Sequence, residues 1–228
     1  MRLAVIPARG GSKRIPRKNI RPFAGRPMIS YSIAAAIESA LFDRIIVSTD
    51  DAEIAEVARA YGAETPFVRS PELSDDYVGT IPVVADAIRW ENEHHHPVDD
   101  VCCIYATAPF VQVADLRRGL DILHRTGAEF AFTITDYPAP IQRALRLNAD
   151  DRLEMFEPEQ FASRSQDLEE AWHDAGQFYW GKASAWLSGQ PLFGPHAAPI
   201  KLPRYRVQDI DTPDDWQRAE LLFKVQTL

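Results

Sequence analysis

Short apolar runs alternate along the chain with longer segments whose apolar positions recur every three or four residues. The runs at 2–7, 44–48, 65–68, 101–105 and 129–135 read as strands, and the segments at 28–41, 51–61, 80–94 and 114–125 as amphipathic helices. In the second helix, Ile54, Val57, Ala58 and Tyr61 fall on one face. Gly62 and Gly127 stand where helix C-termini need left-handed backbone. A β-α-β-α-β order requires crossover connections. It therefore predicts an α/β fold of three layers, a mostly parallel sheet with helices on both faces.

Past residue 136 the pattern loosens. Segments 143–147 and 153–156 read as a hairpin around Asn148-Ala149-Asp150-Asp151, residues 163–170 as a polar loop, and 177–180 as an aromatic strand. A terminal helix is expected over 212–225, with Thr212 as N-cap, Pro213 in first position and Asp214 and Asp215 in the first turn. No repeat or linker interrupts the chain. The expectation is a single domain over 1–228, with a small antiparallel insertion at 136–175 serving as a lid or a subunit contact.

Charge changes the picture. The 228 residues carry 25 Lys+Arg and 33 Asp+Glu, a formal net charge of -8. That sum disfavours nucleic acid or an anionic membrane as partner. It also hides a segregation: the first acid is Glu38, and before it stand Arg2, Arg9, Lys13, Arg14, Arg17, Lys18, Arg21 and Arg26. A basic head on an acidic body points to a bound anion. The opening apolar run is too short for a signal peptide, and no stretch reaches the roughly 18 apolar residues of a membrane helix. Cys102 and Cys103, adjacent on a strand, point to opposite faces and read as buried thiols in a reducing cytoplasm.

The first strand empties into Pro7-Ala8-Arg9-Gly10-Gly11-Ser12-Lys13-Arg14-Ile15-Pro16-Arg17-Lys18-Asn19. In an open parallel sheet, ligands bind at the carboxyl ends of strands. Paired glycines let backbone approach a ligand, Ser12 adds a hydroxyl, and Arg9, Lys13 and Lys18 supply charge for several phosphates. Neither a Walker loop nor a Gly-x-Gly-x-x-Gly fingerprint is present. The run Ala8–Lys13 followed by Lys18-Asn19 resembles the signature of the cytidylyltransferases that activate nonulosonic acids, the sialic-acid-like sugars. That resemblance implies a nucleotide-diphospho-sugar transferase fold of glycosyltransferase-A type and transfer of CMP from CTP to the sugar. It also implies that Arg9, Gly11, Ser12, Lys13, Lys18 and Asn19 hold the CTP, chiefly its triphosphate. Arg2, Arg14, Arg17, Arg21 and Arg26 are left to solvent.

Asp209 and Asp211, two residues apart before the terminal helix, face one side of an extended segment and can share Mg2+ with phosphate oxygens. With the N-terminal loop they match the family's metal motif; Lys13, Lys18 and Asp211 are the expected catalytic residues. Asp214 and Asp215 read as helix-capping acids. The segment Arg69-Ser70-Pro71-Glu72-Leu73-Ser74-Asp75-Asp76 matches a family segment near the nucleotide, which implies Arg69 and Ser74 near the cytidine or ribose. Thr80 reads as a helix cap. The sugar carboxylate calls for an arginine, with Arg143 and Arg164 as candidates, although each can equally be an ordinary surface arginine. Ala106-Thr107-Ala108-Pro109-Phe110 and His173–Trp180 resemble the pseudaminic acid branch of the family; Gln177 and Tyr179 are candidate sugar contacts, Phe178 and Trp180 core. His94-His95-His96 diverge by about 100° per residue on a helix and cannot share one ion. Synthesis of CMP-N-acetylneuraminate or CMP-legionaminate is the alternative within the class, and a non-catalytic nucleotide-binding regulator the alternative outside it. The resemblance implies a homodimer.

Overall fold

The computed structural model describes residues 1–226. The first half runs β1 (Arg2–Pro7), β2 (Pro22–Phe23), β3 (Arg26–Pro27), α1 (Ile29–Ser39), β4 (Arg44–Ser48), α2 (Ala52–Ala60), α3 (Thr80–His94), β5 (Asp100–Ile104) and α4 (Val113–Thr126). The second half runs β6 (Phe130–Asp136), β7 (Leu145–Leu147), β8 (Leu153–Met155), β9 (Trp172–Lys182), α5 (Ala183–Ser188), β10 (Ala197–Lys201) and α6 (Pro213–Gln226). The central sheet has the order β10-β6-β9-β5-β1-β4. Five strands run one way, and β9 runs antiparallel between β5 and β6.

Alternation along the strands divides the core in two. Ala4, Ile6, Cys102, Ile104, Phe178 and Trp180 pack with α1, α2 and α4. Leu3, Val5, Val101, Cys103 and Tyr179 pack with α3 and α5 on the other face. Both faces of β1, β5 and β9 are therefore apolar, the pattern of strands covered by helices on each side. The two free thiols lie in different layers, both fully buried. At Gly119 of α4 an added Cβ would stand 2.7 Å from Trp180 Cδ1 and 2.8 Å from Ile200 Cδ1, so only glycine admits this close helix–sheet approach.

The structure departs from the sequence expectations in a few places. Residues 65–68 form no strand; Glu64 alone bridges Ile46, because Pro66 has no N–H to extend the ladder and Val68 is 80% exposed. The aromatic strand is longer than 177–180, spanning Trp172–Lys182. Strand β10 and helix α5 carried no signal that set them apart as elements. The hairpin lies where expected, as β7 and β8, with Asp151 at φ 58° in its turn. Thr212 and Asp215 cap α6 reciprocally: Asp215 N–H donates to Thr212 Oγ1 at 3.2 Å, and Thr212 N–H to Asp215 Oδ2 at 2.8 Å. Among the described residues no helix is long and apolar enough to cross a membrane.

Candidate active site

The loop after β1 is pinned at several points before any ligand arrives. The Ala8 N–H donates to Ser48 O at 2.9 Å and the Gly10 N–H to Asp50 Oδ1 at 2.9 Å. A Cβ on Gly10 would stand 2.7 Å from Asp51 Oδ2, so this position has no room for a side chain. Arg17, with φ 56°, donates to both Asp51 oxygens at 2.5 and 2.9 Å and to Glu53 at 2.5 Å. It is thus a clamp onto α2 and not a solvated arginine. Asn19 is buried and donates from Nδ2 to Arg9 O at 2.9 Å.

These anchors shape an open cleft of about 240 Å³ at the carboxyl end of β1 and β5. Arg9, Ser12, Lys13, Lys18, Asn19, Arg69 and Asp211 all line it, as the sequence led us to expect. Arg14 lines it too, its exposed guanidinium 2.9 Å from Asp211 Oδ2, so it is solvated as expected but stands at the cleft. Gly11 is exposed outside the lining, where an added Cβ would meet nothing. The cations are paired with acids. Asp76 receives Lys13 and Arg9, the latter at 2.5 Å, and Asp75 O receives Arg9 at 3.0 Å. Lys18 Nζ donates to Ile210 O at 2.6 Å and Asp211 Oδ1 at 3.2 Å. Arg69 is buried and donates to Ser48 O and, at 3.4 Å, to Leu73 O; burial lowers its pKa. Its Nε has no hydrogen-bond partner among the described residues.

The acid pair is set by the residue between. Ile210 is fully buried with Ile15, Phe23 and Trp216, a cluster that joins α6 to the N-terminal loop. With Ile210 turned inward, Asp209 and Asp211 flank an anchored position. The Asp209 carboxyl is pushed up, first by desolvation and then by the negative charge of Asp211, with Lys18 opposing. Among the described residues no group of three or more His, Cys, Asp or Glu could hold a metal. Any cation bound here would therefore rely on this pair and on ligand oxygens. Magnesium, which keeps waters and phosphate oxygens around one or two carboxylates, fits that donor set.

The candidate sugar residues lie elsewhere. Gln177 is buried, its Nε2 donating to Arg206 O at 2.6 Å. Tyr179 is fully buried among Tyr105 and Phe132, because alternation along β9 turns it into the α3/α5 layer; it offers a sugar no surface. Ser74 donates back to Ser70 O at 2.8 Å and is absent from the cleft lining. Arg143 and Arg164 sit exposed on the insertion, one held by Ser163 O and the other by Asp167 at 2.7 Å. Tyr105, Ala106, Thr107, Gly79 and Thr80 line the cleft without having been singled out for it. Thr80 is the first residue of α3; Gly79 is the N-cap, and the Thr80 hydroxyl faces Tyr105 at 2.9 Å. Position alone, at the carboxyl end of β5, marks Tyr105–Thr107. His94 stacks on Trp90 at 4.4 Å on the exposed end of α3.

Comparison with known proteins agrees with this geometry. The profile of a family described as Cytidylyltransferase matches residues 3–204, ending short of the acid pair. A pseudaminic acid cytidylyltransferase of Campylobacter jejuni is 48% identical over 223 residues, covering 98% of this chain and 96% of the relative. A CMP-N,N'-diacetyllegionaminic acid synthase of Legionella pneumophila is 33% identical over 98% of this chain and 96% of its own. Among solved structures, a CMP:2-keto-3-deoxy-manno-octonic acid synthetase complexed with CTP superposes with a TM-score of 0.72 over 100% of this chain and 99% of that one. At 16% identity it speaks for the fold alone. With a cationic loop at the head of a three-layer sheet, and a family match over nearly its whole length, the chain belongs to the cytidylyltransferase family.

Proposed function

We propose that this enzyme transfers CMP from CTP to the anomeric hydroxyl of a nonulosonic acid, pseudaminic acid, releasing pyrophosphate. The observation that carries the reading is the meeting of Lys18 and Asp211, 193 positions apart in sequence and 3.2 Å apart in the cleft. It joins an anion-binding loop to one carboxylate of the acid pair, Asp211; Asp209, exposed beside Gly176, lies outside the cleft lining. The 48% identity to a pseudaminic acid enzyme supports the choice of sugar.

In this reading Arg9, Lys13 and Lys18 bind and orient the triphosphate, and Ser12 and Asn19 complete its cradle. The sugar hydroxyl attacks the α-phosphate, the bond to the pyrophosphate breaks, and no covalent enzyme intermediate forms. Positioning and fixed positive charge carry the acceleration. Asp209 and Asp211 would hold Mg2+, which would offset the charge growing on the phosphates. Arg143 and Arg164 are our candidates for the sugar carboxylate, reaching it from the insertion. We further propose a homodimer made through the 136–175 segment, and a reducing cytoplasm as the compartment, in keeping with two free buried thiols.

The test is pyrophosphate release with CTP, magnesium and a panel of nonulosonic acids. Pseudaminic acid should give the highest kcat/KM; preference for N-acetylneuraminate or a legionaminate would change the sugar and keep the chemistry. In the same assay Asp211→Ala should lose at least about a hundredfold in kcat with an unchanged circular dichroism spectrum. Near-normal turnover would remove the acid pair from the reaction.

A further inference from the structure

Four non-glycine residues among those described have positive φ. Ala24 and Asp151 sit in hairpin turns, and Ala40 ends α1. Arg17, at φ 56°, is the one in the cleft loop, where left-handed backbone is strained for a residue with a Cβ. Such strain persists only where the surroundings over-determine it. Here they are explicit. The Arg17 carbonyl accepts the N–H groups of Ile20 at 3.0 Å and Arg21 at 2.9 Å, which closes the turn behind it. Its guanidinium reaches out of the loop to the start of α2, where it forks onto Asp51 and Glu53.

Asp51 is a fixed post. It caps α2 by accepting the Ile54 N–H, and its own N–H donates to Thr49 Oγ1 at 3.2 Å. The first half of the loop lies against the same carboxylate, since Gly10 leaves room for Asp51 Oδ2 where a Cβ would stand. One acid therefore grips both halves of the loop.

What this grip fixes is the residue next to Arg17. Lys18 stands between Arg17, turned outward to α2, and Asn19, turned inward with its Nδ2 on Arg9 O. With both neighbours committed, Lys18 points into the cleft, its Nζ on Ile210 O and Asp211 Oδ1. Arg17 itself lies outside the cleft lining, as do Asp51 and Glu53. Its effect on a bound ligand must pass through the backbone it holds, or through charge at a distance. If residue 17 leaves the left-handed region, the direction of Lys18 from the chain changes with it.

We propose that Arg17 is a positioning residue for Lys18: its fork onto Asp51 and Glu53 holds the left-handed backbone that aims the Lys18 ammonium at the phosphates. The proposal rests on the nucleotidyl-transfer reading for what Lys18 meets. It assigns Arg17 no contact with substrate.

The test separates backbone from charge. Glycine adopts φ near 56° without steric cost and alanine does not, while both remove the same fork and the same charge. The full chain is titrated calorimetrically with CTP in magnesium, without sugar. Arg17→Ala should weaken CTP binding about tenfold, because the aimed backbone becomes a minor state. Arg17→Gly should weaken it by no more than about threefold. Arg17→Asn and Arg17→Val repeat the contrast if either variant fails to fold: asparagine should follow glycine, and valine alanine. In a Lys18→Ala background, Arg17→Ala should cost less than about twofold more, because the side chain it aims is gone.

A merely structural role would weaken CTP equally with or without Lys18. A charge role would make Arg17→Gly as weak as Arg17→Ala. Either result overturns the proposal, as does wild-type affinity in Arg17→Ala. If the variants follow the expected order but no sugar elicits pyrophosphate from the wild type, the transfer reading fails and the positioning of Lys18 stands. Normal turnover with equal affinities in Arg17→Ala and Arg17→Gly keeps the reading and removes the positioning. A wild type that binds no CTP overturns both.

Discussion

One carboxylate, Asp76, engages two of the cations assigned to the triphosphate, Arg9 at 2.5 Å and Lys13. Its side chain is a third exposed and Lys13 is mostly exposed, so these are weak, screened pairs that phosphate oxygens can displace. Displacement still costs something at every binding event. Asp76→Asn should therefore lower the KM for CTP by about two- to fivefold with little change in kcat, read from initial rates at saturating sugar. A rise in KM would mean that Asp76 orients the two cations more than it competes for them. The same residues show what the sequence revealed and what it withheld. Arg9, Ser12, Lys13, Lys18 and Asn19 were legible because they lie in one short loop after the first strand, where a local pattern maps onto a local shape. Arg69 was legible only through resemblance, and Asp211 through its spacing from Asp209 with resemblance alone tying it to the loop, since the approach of both to that loop depends on the whole sheet. Asp76, Tyr105 and Thr80 were not legible as site residues, because an acid, a phenol and a helix-opening threonine are ordinary in sequence and gain meaning from their partners. Tyr179 was misread because helices cover β9 on both faces: the alternation with Phe178 and Trp180 is as expected, but neither face is open to a ligand.

Helix α2 and the N-terminal loop share a single acid. Asp51 caps α2 by accepting the Ile54 N–H at 3.0 Å and takes Arg17 through both oxygens. The Arg17 hydrogen bond, ahead of the backbone donors, holds the Asp51 carboxyl down from 3.8 to about 2. A carboxyl lowered by folding contributes stability that is complete above its unfolded value and is lost as the pH falls through the folded one. The window is thus about pH 4 to pH 2, and the contribution is on the order of 2 kcal/mol. Asp51→Asn should lower the urea midpoint at pH 7, and its stability should fall less than that of the wild type between pH 4.5 and pH 2.5. Parallel acid limbs would show that Asp51 is not the linked group. Elements of this kind were easy to read: a three- and four-residue apolar repeat closed by Gly62 located α2 within one residue at each end. Strand β10 was not, since Ala197–Lys201 is short and carries Pro199; it survives at the sheet edge, where a missing N–H is tolerated. The antiparallel sense of β9 was hidden as well, because it follows from the path of the insertion between β6 and β9 and not from any residue in the strand.

At the scale of the molecule, the basic head and acidic body do not remain apart. Arg9 and Lys13 meet Asp76, Arg14 and Lys18 meet Asp211, and Arg17 meets Asp51 and Glu53. Arg21 lies over the Trp216 ring at 4.8 Å and Arg26 over the Tyr31 ring at 4.3 Å. Segregation along the chain has become neutralisation in space, so the head needs a ligand only where its acids can be displaced, in the cleft. The apolar surface has no such internal answer. On the β7–β8 ribbon, Leu145, Leu147 and Leu153 share one face and are 54%, 63% and 69% exposed, with Phe161 nearby in sequence at 79%. Arg146 and Glu154 pair across the other face. An isolated two-stranded ribbon is marginal in water, and an uncovered apolar face on it calls for a partner surface. A second copy of this chain is the occupant we expect. Light scattering should give twice the mass of one chain, and the double substitution Leu147→Asp, Leu153→Asp should give a single-chain mass with the far-UV spectrum retained. Those side chains lie outside the CTP cleft, so the variant should still bind CTP with wild-type affinity in calorimetry. A wild type that runs as a monomer at assay concentration would leave the ribbon face to be covered by something other than this chain, and the homodimer would be withdrawn.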